Sequence, residues 1–383
     1  MKIAFIHNEK KLGTGAHYIN DLISLKLRES GVEMKNFYPR VSLDAPVRLS
    51  GLKNILFFYS LLEKRKEILK YDLIQGTTYT PLPFLAYPIP VITHFGSTTQ
   101  GFLDATPRAS RMEPQLKKLW YYLKKVDAIP EVNIKTQRPL RDIAEIEEYV
   151  ALKADAVIAT SLNVRKELLN MGVNEDKVHL VHNAIEDYWF DTNQPDFVEN
   201  PGIVFLGRIG GDAFNMKLKG VDRLIHLYKH FTDVKKTTIC MTTSKSLTAW
   251  LLNNIPNHSL YVNLKKDRIP HIVKSLRGSI LFIPSRYEGF SLSLIEGMSQ
   301  GLVPVVYPVG VAPEIIRNGE NGFIVSSQNE AIEKIKLLLS DETLRKRCSV
   351  EAKKTTAQFA SSLIAKKLIA IYEKVSKQSS LSR

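Results

Sequence analysis

Cysteine is almost missing from this 383-residue chain, where Cys240 and Cys348 stand alone. Two isolated thiols form no disulfide framework and no metal-spaced cluster, and they suit a reducing compartment. Long apolar runs are missing as well. The longest, Ile55 to Leu62, is bounded by charge and falls short of the ~20 residues that a membrane span needs. The opening Met1-Lys2-Ile3-Ala4-Phe5-Ile6-His7-Asn8 turns polar too soon for a secretory signal peptide. These absences together lead to the expectation of a cytoplasmic protein, soluble or attached to a surface. Low-complexity tracts are missing too, with Gly 20 and Pro 18. A hydrophobic content of 44% and a charged content of 24% exclude disordered and collagen-like classes.

Acidic residues are in deficit: 39 Asp and Glu face 53 Lys and Arg, for a net charge of +14. The excess is local. Residues 343–383 hold ten basic side chains against Glu351 and Glu373. Residues 108–125 hold six basic side chains against Glu113. The rest of the chain is close to neutral, so the charge forms two patches rather than a general field. No helix-turn-helix, zinc module or RNA-binding signature accompanies them, so no nucleic-acid partner is expected.

The length exceeds the roughly 250–300 residues at which single cores stop growing, which predicts two domains. Short β-branched runs alternate with helical stretches. Strands are predicted at Ile3–Ile6, Val32–Tyr38, Leu73-Ile74, Val91–Thr93, Ala156–Ala159 and Val178–Val181. A polar stretch at 187–202 is read as the linker. The alternation then restarts at 203–206, 238–242, 260–262, 280–283, 303–307 and 323–325. This is βαβ alternation twice over, an α/β chain with two doubly wound parallel sheets.

The chemistry concentrates in Pro284-Ser285-Arg286-Tyr287-Glu288-Gly289-Phe290-Ser291-Leu292, which runs on through Glu296 to Gly301, Pro304 and Val305. A buried strand ends in a loop, and a helix starts near Ser291. Ligands of open α/β sheets bind at the carboxyl ends of strands, and a helix N-terminus there favours phosphate. Glu288 and Glu296 are poorly placed as a glycosidase pair. Five helical residues already rise about 7.5 Å before the loop is added, whereas such pairs face one bond at about 5–9.5 Å. They suit two separated hydroxyl-bearing parts of one ligand, with a phosphate held between them. That describes a nucleotide sugar.

The run resembles the donor motif of retaining GT-B glycosyltransferases of family four (group 1). That motif is Ser-x-x-Glu-Gly-Phe, then Glu eight residues after the first, then Gly-x-x-Pro-Val as it stands here. Gly207-Arg208 and Lys219-Gly220 are similar to the family's diphosphate-binding pair, and Asn183, Glu314 and Asn321-Gly322 resemble further parts of the pattern. The first-strand loop Gly13-Thr14-Gly15 stands where adjacent glycines are usual, and Ser291 stands where glycine is frequent. Residues 97–150 match no part of it.

The resemblance implies two Rossmann-like domains facing each other across a cleft. The expected boundaries are 1–190 for the acceptor domain and 191–355 for the donor domain, with 356–383 a C-terminal helix returning to the first. It implies retaining transfer of a sugar from a nucleotide-diphosphate donor to a cell-surface glycan or lipid-linked acceptor, as in polysaccharide biosynthesis. Uridine and guanosine forms of the donor both remain open. Under the resemblance, Glu288 positions the sugar, Glu296 holds the ribose, Arg208 and Lys219 steady the departing diphosphate, and His94 orients hydroxyls. Donor contacts are also implied for Gly13, Gly15, Gly207, Gly289, Phe290, Ser291 and Leu292. No cofactor is implied. The resemblance implies a front-side reaction, and the absence of any Asp-x-Asp in the chain argues against the metal-dependent alternative architecture. A nucleotide-sugar epimerase or hydrolase on the same fold is the first alternative, since fold does not fix reaction, and a basic nucleic-acid-binding protein ranks behind it.

The 108–125 patch has two readings. Leu116, Leu119, Trp120 and Leu123 share a helical face flanked by Lys117, Lys118, Lys124 and Lys125. Such a stripe packs on a sheet, or it lies on anionic lipid at the inner membrane face.

Overall fold

The computed structural model describes residues 1–9, 15–41, 50–132, 138–190 and 195–381. It contains two six-stranded sheets whose strand pairs are all parallel. The first holds β1 (Lys2–Ile6), β2 (Glu33–Phe37), β3 (Leu73–Thr77), β4 (Val91–Phe95), β5 (Ala156–Ala159) and β6 (Val178–Leu180) in the order β2-β1-β3-β4-β5-β6. The second holds β7 (Ile203–Arg208), β8 (Lys236–Met241), β9 (His258–Val262), β10 (Ile280–Ile283), β11 (Val303–Val306) and β12 (Phe323–Ile324) in the order β12-β11-β10-β7-β8-β9. Strands β5, β10 and β11 are buried along their whole length. Helices cover both faces of such sheets, which is why these strands read as unbroken apolar runs. The second order is that of a Rossmann dinucleotide fold, and it reverses between β7 and β10.

The chain divides into two compact units, and the boundaries differ from those expected at 190 and 355. The first unit is Met1–Gly101, Gln137–Ala184 and Phe359–Arg383, and the second is Phe102–Thr136 and Ile185–Gln358. The segment from Phe102 to Thr136 therefore belongs with the second sheet. Its helix Pro114–Lys125 buries Leu116, Trp120 and Leu123 in one core with Leu224, Leu227 and Tyr228 of the helix Val221–His230. The apolar stripe thus packs inside the second unit and is not open to lipid. Lys118, Tyr121, Tyr122, Lys124 and Lys125 stay exposed on the outer face.

The polar linker is also partly structural. Asp187–Phe190 forms a 3-10 turn with Trp189 fully buried, and the Gln300 side-chain amide donates to the Trp189 carbonyl at 2.6 Å. Residues 191–194 lie outside the described residues.

The helix Ser361–Leu381 packs on the first unit. Ile364, Leu368 and Tyr372 are buried, and the Tyr372 hydroxyl donates to the Gln75 side chain on β3. Among the described residues, no helix is long and apolar enough to cross a membrane.

Candidate active site

The site in the second unit lies where the sheet order reverses, at the carboxyl ends of β7 and β10. Two loops are laced together there. Gly220 adopts φ +66° at the start of the helix Val221–His230, and a Cβ on it would lie 2.1 Å from the Pro284 carbonyl oxygen. Only glycine permits both that conformation and that approach. The Arg286 backbone N–H donates to the Leu218 carbonyl at 2.7 Å, and the Arg286 guanidinium donates to the Lys217 carbonyl at 2.7 Å. The same guanidinium forks onto the fully buried Asp222 carboxylate at 2.8 and 2.6 Å. A bidentate Arg–carboxylate pair of this kind is geometrically demanding, so it fixes the 284–288 loop.

This lacing brings Lys219 onto Glu288. The ammonium donates to both carboxylate oxygens at 2.7 and 2.8 Å, and the Ser285 hydroxyl donates to Glu288 Oε1 at 2.7 Å. The sequence reading gave Glu288 to the sugar and Lys219 to the diphosphate as separate parts, and the structure joins them in one ion pair. Arg208 ends β7, is exposed, and makes no ion pair among the described residues. Gly207 runs beside the Ser293 hydroxyl, which a Cβ on it would meet at 3.8 Å.

The helix Leu292–Ser299 follows. Its first N–H groups have no partner within the helix, as at any helix start. Ser291 precedes it at φ +83°, ψ +74°, with its hydroxyl buried and unpartnered. Phe290 is buried, and its carbonyl accepts from the Val311 N–H at 2.9 Å. Gly289 lies between Glu288 and Phe290 in the same loop.

One helical turn further on, Glu296 is pushed up to about 7, first by burial; Lys266 pulls it down and Glu186 pushes it up. Lys266 is itself ion-paired with Glu186. The sequence reading missed Glu186 and Lys266, because neither lies in a recognisable motif. It also missed Asp222, whose only signal is its place one residue after the start of a helix.

Two of the remaining predicted residues, His94 and Gly15, fall in the first unit. His94 stands near the end of β4, and burial lowers it to about 4, so its imidazole is neutral near pH 7. Gly13 lies outside the described residues, and Gly15 opens the helix Gly15–Glu29. A polar cluster that the sequence did not flag follows β4. The Thr99 N–H donates to Glu147 at 2.7 Å, and the Thr98 hydroxyl donates to Glu167 at 2.6 Å. Burial raises Glu147 to about 7, against the hydrogen bonds from Thr99. Asn321, from the tail of the motif, is a structural clamp. It accepts from the Arg317 N–H at 2.8 Å and donates to the Ile315 carbonyl at 2.8 Å.

Comparison with known proteins bears on the family and the fold. The family model described as "Glycosyl transferases group 1" matches residues 197–355. The model described as "Glycosyltransferase Family 4" matches residues 25–187, and so spans the 97–150 stretch in which no motif was legible. An uncharacterized glycosyltransferase of Methanocaldococcus jannaschii is 24% identical over 60% of this chain and 62% of its own. A capsular polysaccharide biosynthesis glycosyltransferase of Staphylococcus aureus is 27% identical over 54% of each chain. The chain thus spans little more than half the length of these curated relatives.

Among solved structures, sucrose-phosphate synthase of Thermosynechococcus elongatus matches with a TM-score of 0.73 and 14% identity over 98% of both chains. The Anabaena protein HepE, solved with UDP and glucose, matches with a TM-score of 0.66 and 16% identity over 97% of this chain and 99% of its own. With two family models in tandem along most of its length and two Rossmann-like sheets, the chain belongs to the group 1 and family 4 glycosyltransferases of the GT-B fold.

Proposed function

We propose that this chain transfers a sugar from a nucleoside diphosphate sugar to a cell-surface glycan or lipid-linked acceptor, with retention at the anomeric carbon and without a metal. The observation that carries the reading is the Ser285–Glu288–Lys219 cluster. It stands at the reversal of the sheet order, next to the start of the Leu292–Ser299 helix. HepE was solved in complex with UDP and glucose, and the Staphylococcus aureus relative is a glycosyltransferase of capsular polysaccharide biosynthesis. Both favour the same substrate classes here.

In the proposed reaction the bond from the anomeric carbon to the diphosphate oxygen breaks, and its electron pair leaves on that oxygen. The acceptor hydroxyl bonds to the carbon from the same face, and its proton passes to the departing phosphate oxygen. Arg208, Lys219 and the helix N–H groups stabilise the charge that develops there. Glu288 accepts from donor-sugar hydroxyls, and Glu296 accepts from the ribose. His94, being neutral, serves to orient a hydroxyl rather than to supply a charge. Arg208→Gln is expected to lower kcat by about 10²–10³, the usual cost of one such donor. Product analysis by NMR checks both rate and stereochemistry. Hydrolysis or epimerisation with no transfer to any acceptor would overturn the reading, as would an inverted product or activity abolished by EDTA.

Peripheral contact with anionic membrane from the cytoplasm is proposed through the exposed lysines 118, 124 and 125 alone, since the apolar stripe beneath them is buried.

A further inference from the structure

The second unit carries a cavity of about 470 Å³ that the reading above leaves without a role. It opens at the carboxyl ends of β10, β11 and β12, where Ser285 and Arg286, then Tyr307, then Ser326 follow the strands. Its other wall comes from residues 105–116, with Arg111 and Glu113. None of residues 291–299 line it, nor does Arg208, so it is separate from the proposed diphosphate position.

Three guanidinium groups line the cavity against one carboxylate, Glu113. Arg286 is already neutralised by Asp222. Arg223 is held but not neutralised. Its plane lies over the Tyr307 ring at 3.8 Å, and one nitrogen donates to the Pro284 and Ser285 carbonyls at 3.1 and 3.4 Å. Its Nε–H is buried with no acceptor. Arg111 is exposed, and neither Arg111 nor Arg223 forms an ion pair among the described residues.

The outer wall is pinned. Phe102 meets Tyr287 edge to face at 5.0 Å, and Lys217 donates to the Pro107 carbonyl at 3.2 Å while lying 5.7 Å over the Trp120 ring. Asp222 and Glu113 offset two of the three charges and leave one in excess, and two guanidinium groups outside any ion pair in a pinned cavity match the geometry of an oxyanion, which accepts paired N–H bonds.

The position limits what carries that oxyanion. Ser285 lines the cavity and donates to Glu288, so the cavity lies one hydrogen bond from the carboxylate assigned to the transferred sugar. We propose that this cavity is an acceptor subsite, and that it takes a phosphate or carboxylate borne by the sugar that receives the transferred residue. The proposal rests on the glycosyl-transfer reading above. It makes Arg111 and Arg223 specificity-determining residues.

The test is calorimetry on the full chain with saturating UDP or GDP, so that the diphosphate position is filled. Glucose 6-phosphate, glucuronate, inorganic phosphate and neutral glucose are titrated in turn. At least one sugar-borne anion is expected to bind, and glucose is not. Arg111→Gln, at an exposed position, is expected to weaken that binding about tenfold, with UDP or GDP affinity unchanged. Arg223→Lys keeps the charge and loses the fork, and it is expected to weaken binding similarly. Sugar-borne anions that bind no better than glucose overturn the proposal, as does wild-type affinity in both variants. Binding of inorganic phosphate alone overturns it too, because the cavity is then an ion site and not an acceptor site. In each of these cases retained UDP or GDP binding leaves the transferase reading standing. If neither nucleotide binds the wild-type chain, both fall together.

Discussion

Ser291 occupies a left-handed conformation, φ +83°, that side chains with a Cβ adopt at a cost of about 1–2 kcal/mol. Its buried hydroxyl finds no partner either. Replacement by glycine, which removes both penalties, is expected to raise stability by about 1 kcal/mol. Urea unfolding measures this, and a lower midpoint for the variant would count against strain at this position. Glu296 makes a pH-dependent prediction. Burial lifts its carboxyl from 4.5 to about 7. Between those values the folded chain keeps the proton and the unfolded chain has lost it, so this group's contribution to stability falls as pH rises through that window. Ribose hydroxyls donate to the ionised form. Nucleotide affinity is therefore expected to rise from about pH 6 to about pH 8, and Glu296→Gln is expected to flatten that rise. Titration calorimetry at several pH values decides it, and a parallel rise in the variant would assign the titration elsewhere.

At the scale of elements, the helix Pro114–Lys125 separates what a sequence pattern reveals from what it leaves open. The spacing of Leu116, Leu119, Trp120 and Leu123 shows that one face is covered. It contains nothing about which surface covers it, because lipid and protein interiors select the same side chains. In the structure the cover is the core of the second unit. Trp120→Ala is expected to cost about 3–5 kcal/mol, the range for a truncated buried aromatic. Replacing Lys118, Lys124 and Lys125 together by Ser is expected to leave the unfolding midpoint in place and to lower co-sedimentation with anionic vesicles. Equal co-sedimentation would remove the membrane contact. Strands β5, β10 and β11 were legible for the opposite reason. A strand buried on both faces must be apolar throughout, whatever its neighbours, so runs such as Ile280–Ile283 declare themselves. The 284–296 loop and helix were legible because their residues act at fixed spacing within one short segment. Glu186, Asp222 and Arg223 reach the site or the cavity from distant parts of the chain, and local spacing holds no trace of that.

The whole molecule is two units threaded by one chain. A nucleotide held as proposed touches the second unit through Lys219, Glu288 and Glu296. Binding to the folded state raises stability by mass action. Calorimetric unfolding with UDP or GDP is therefore expected to raise the transition of the second unit. Ending the chain at Gln358 is expected to lower the transition of the first unit alone, because Ile364, Leu368 and Tyr372 cover its core. A truncated chain that unfolds like the full one would show the last helix to be dispensable.

Chain threading also sets an order of events at the ribosome. The second unit holds every residue it needs once Gln358 has been made, whereas the first unit lacks Phe359–Arg383 until that later stretch has followed. Domains of a nascent chain commonly mature from the N-terminus. Here the unit that starts earlier along the chain is completed after the other. While translation continues, the face that Tyr372 will cover is an open apolar surface and a natural station for a chaperone.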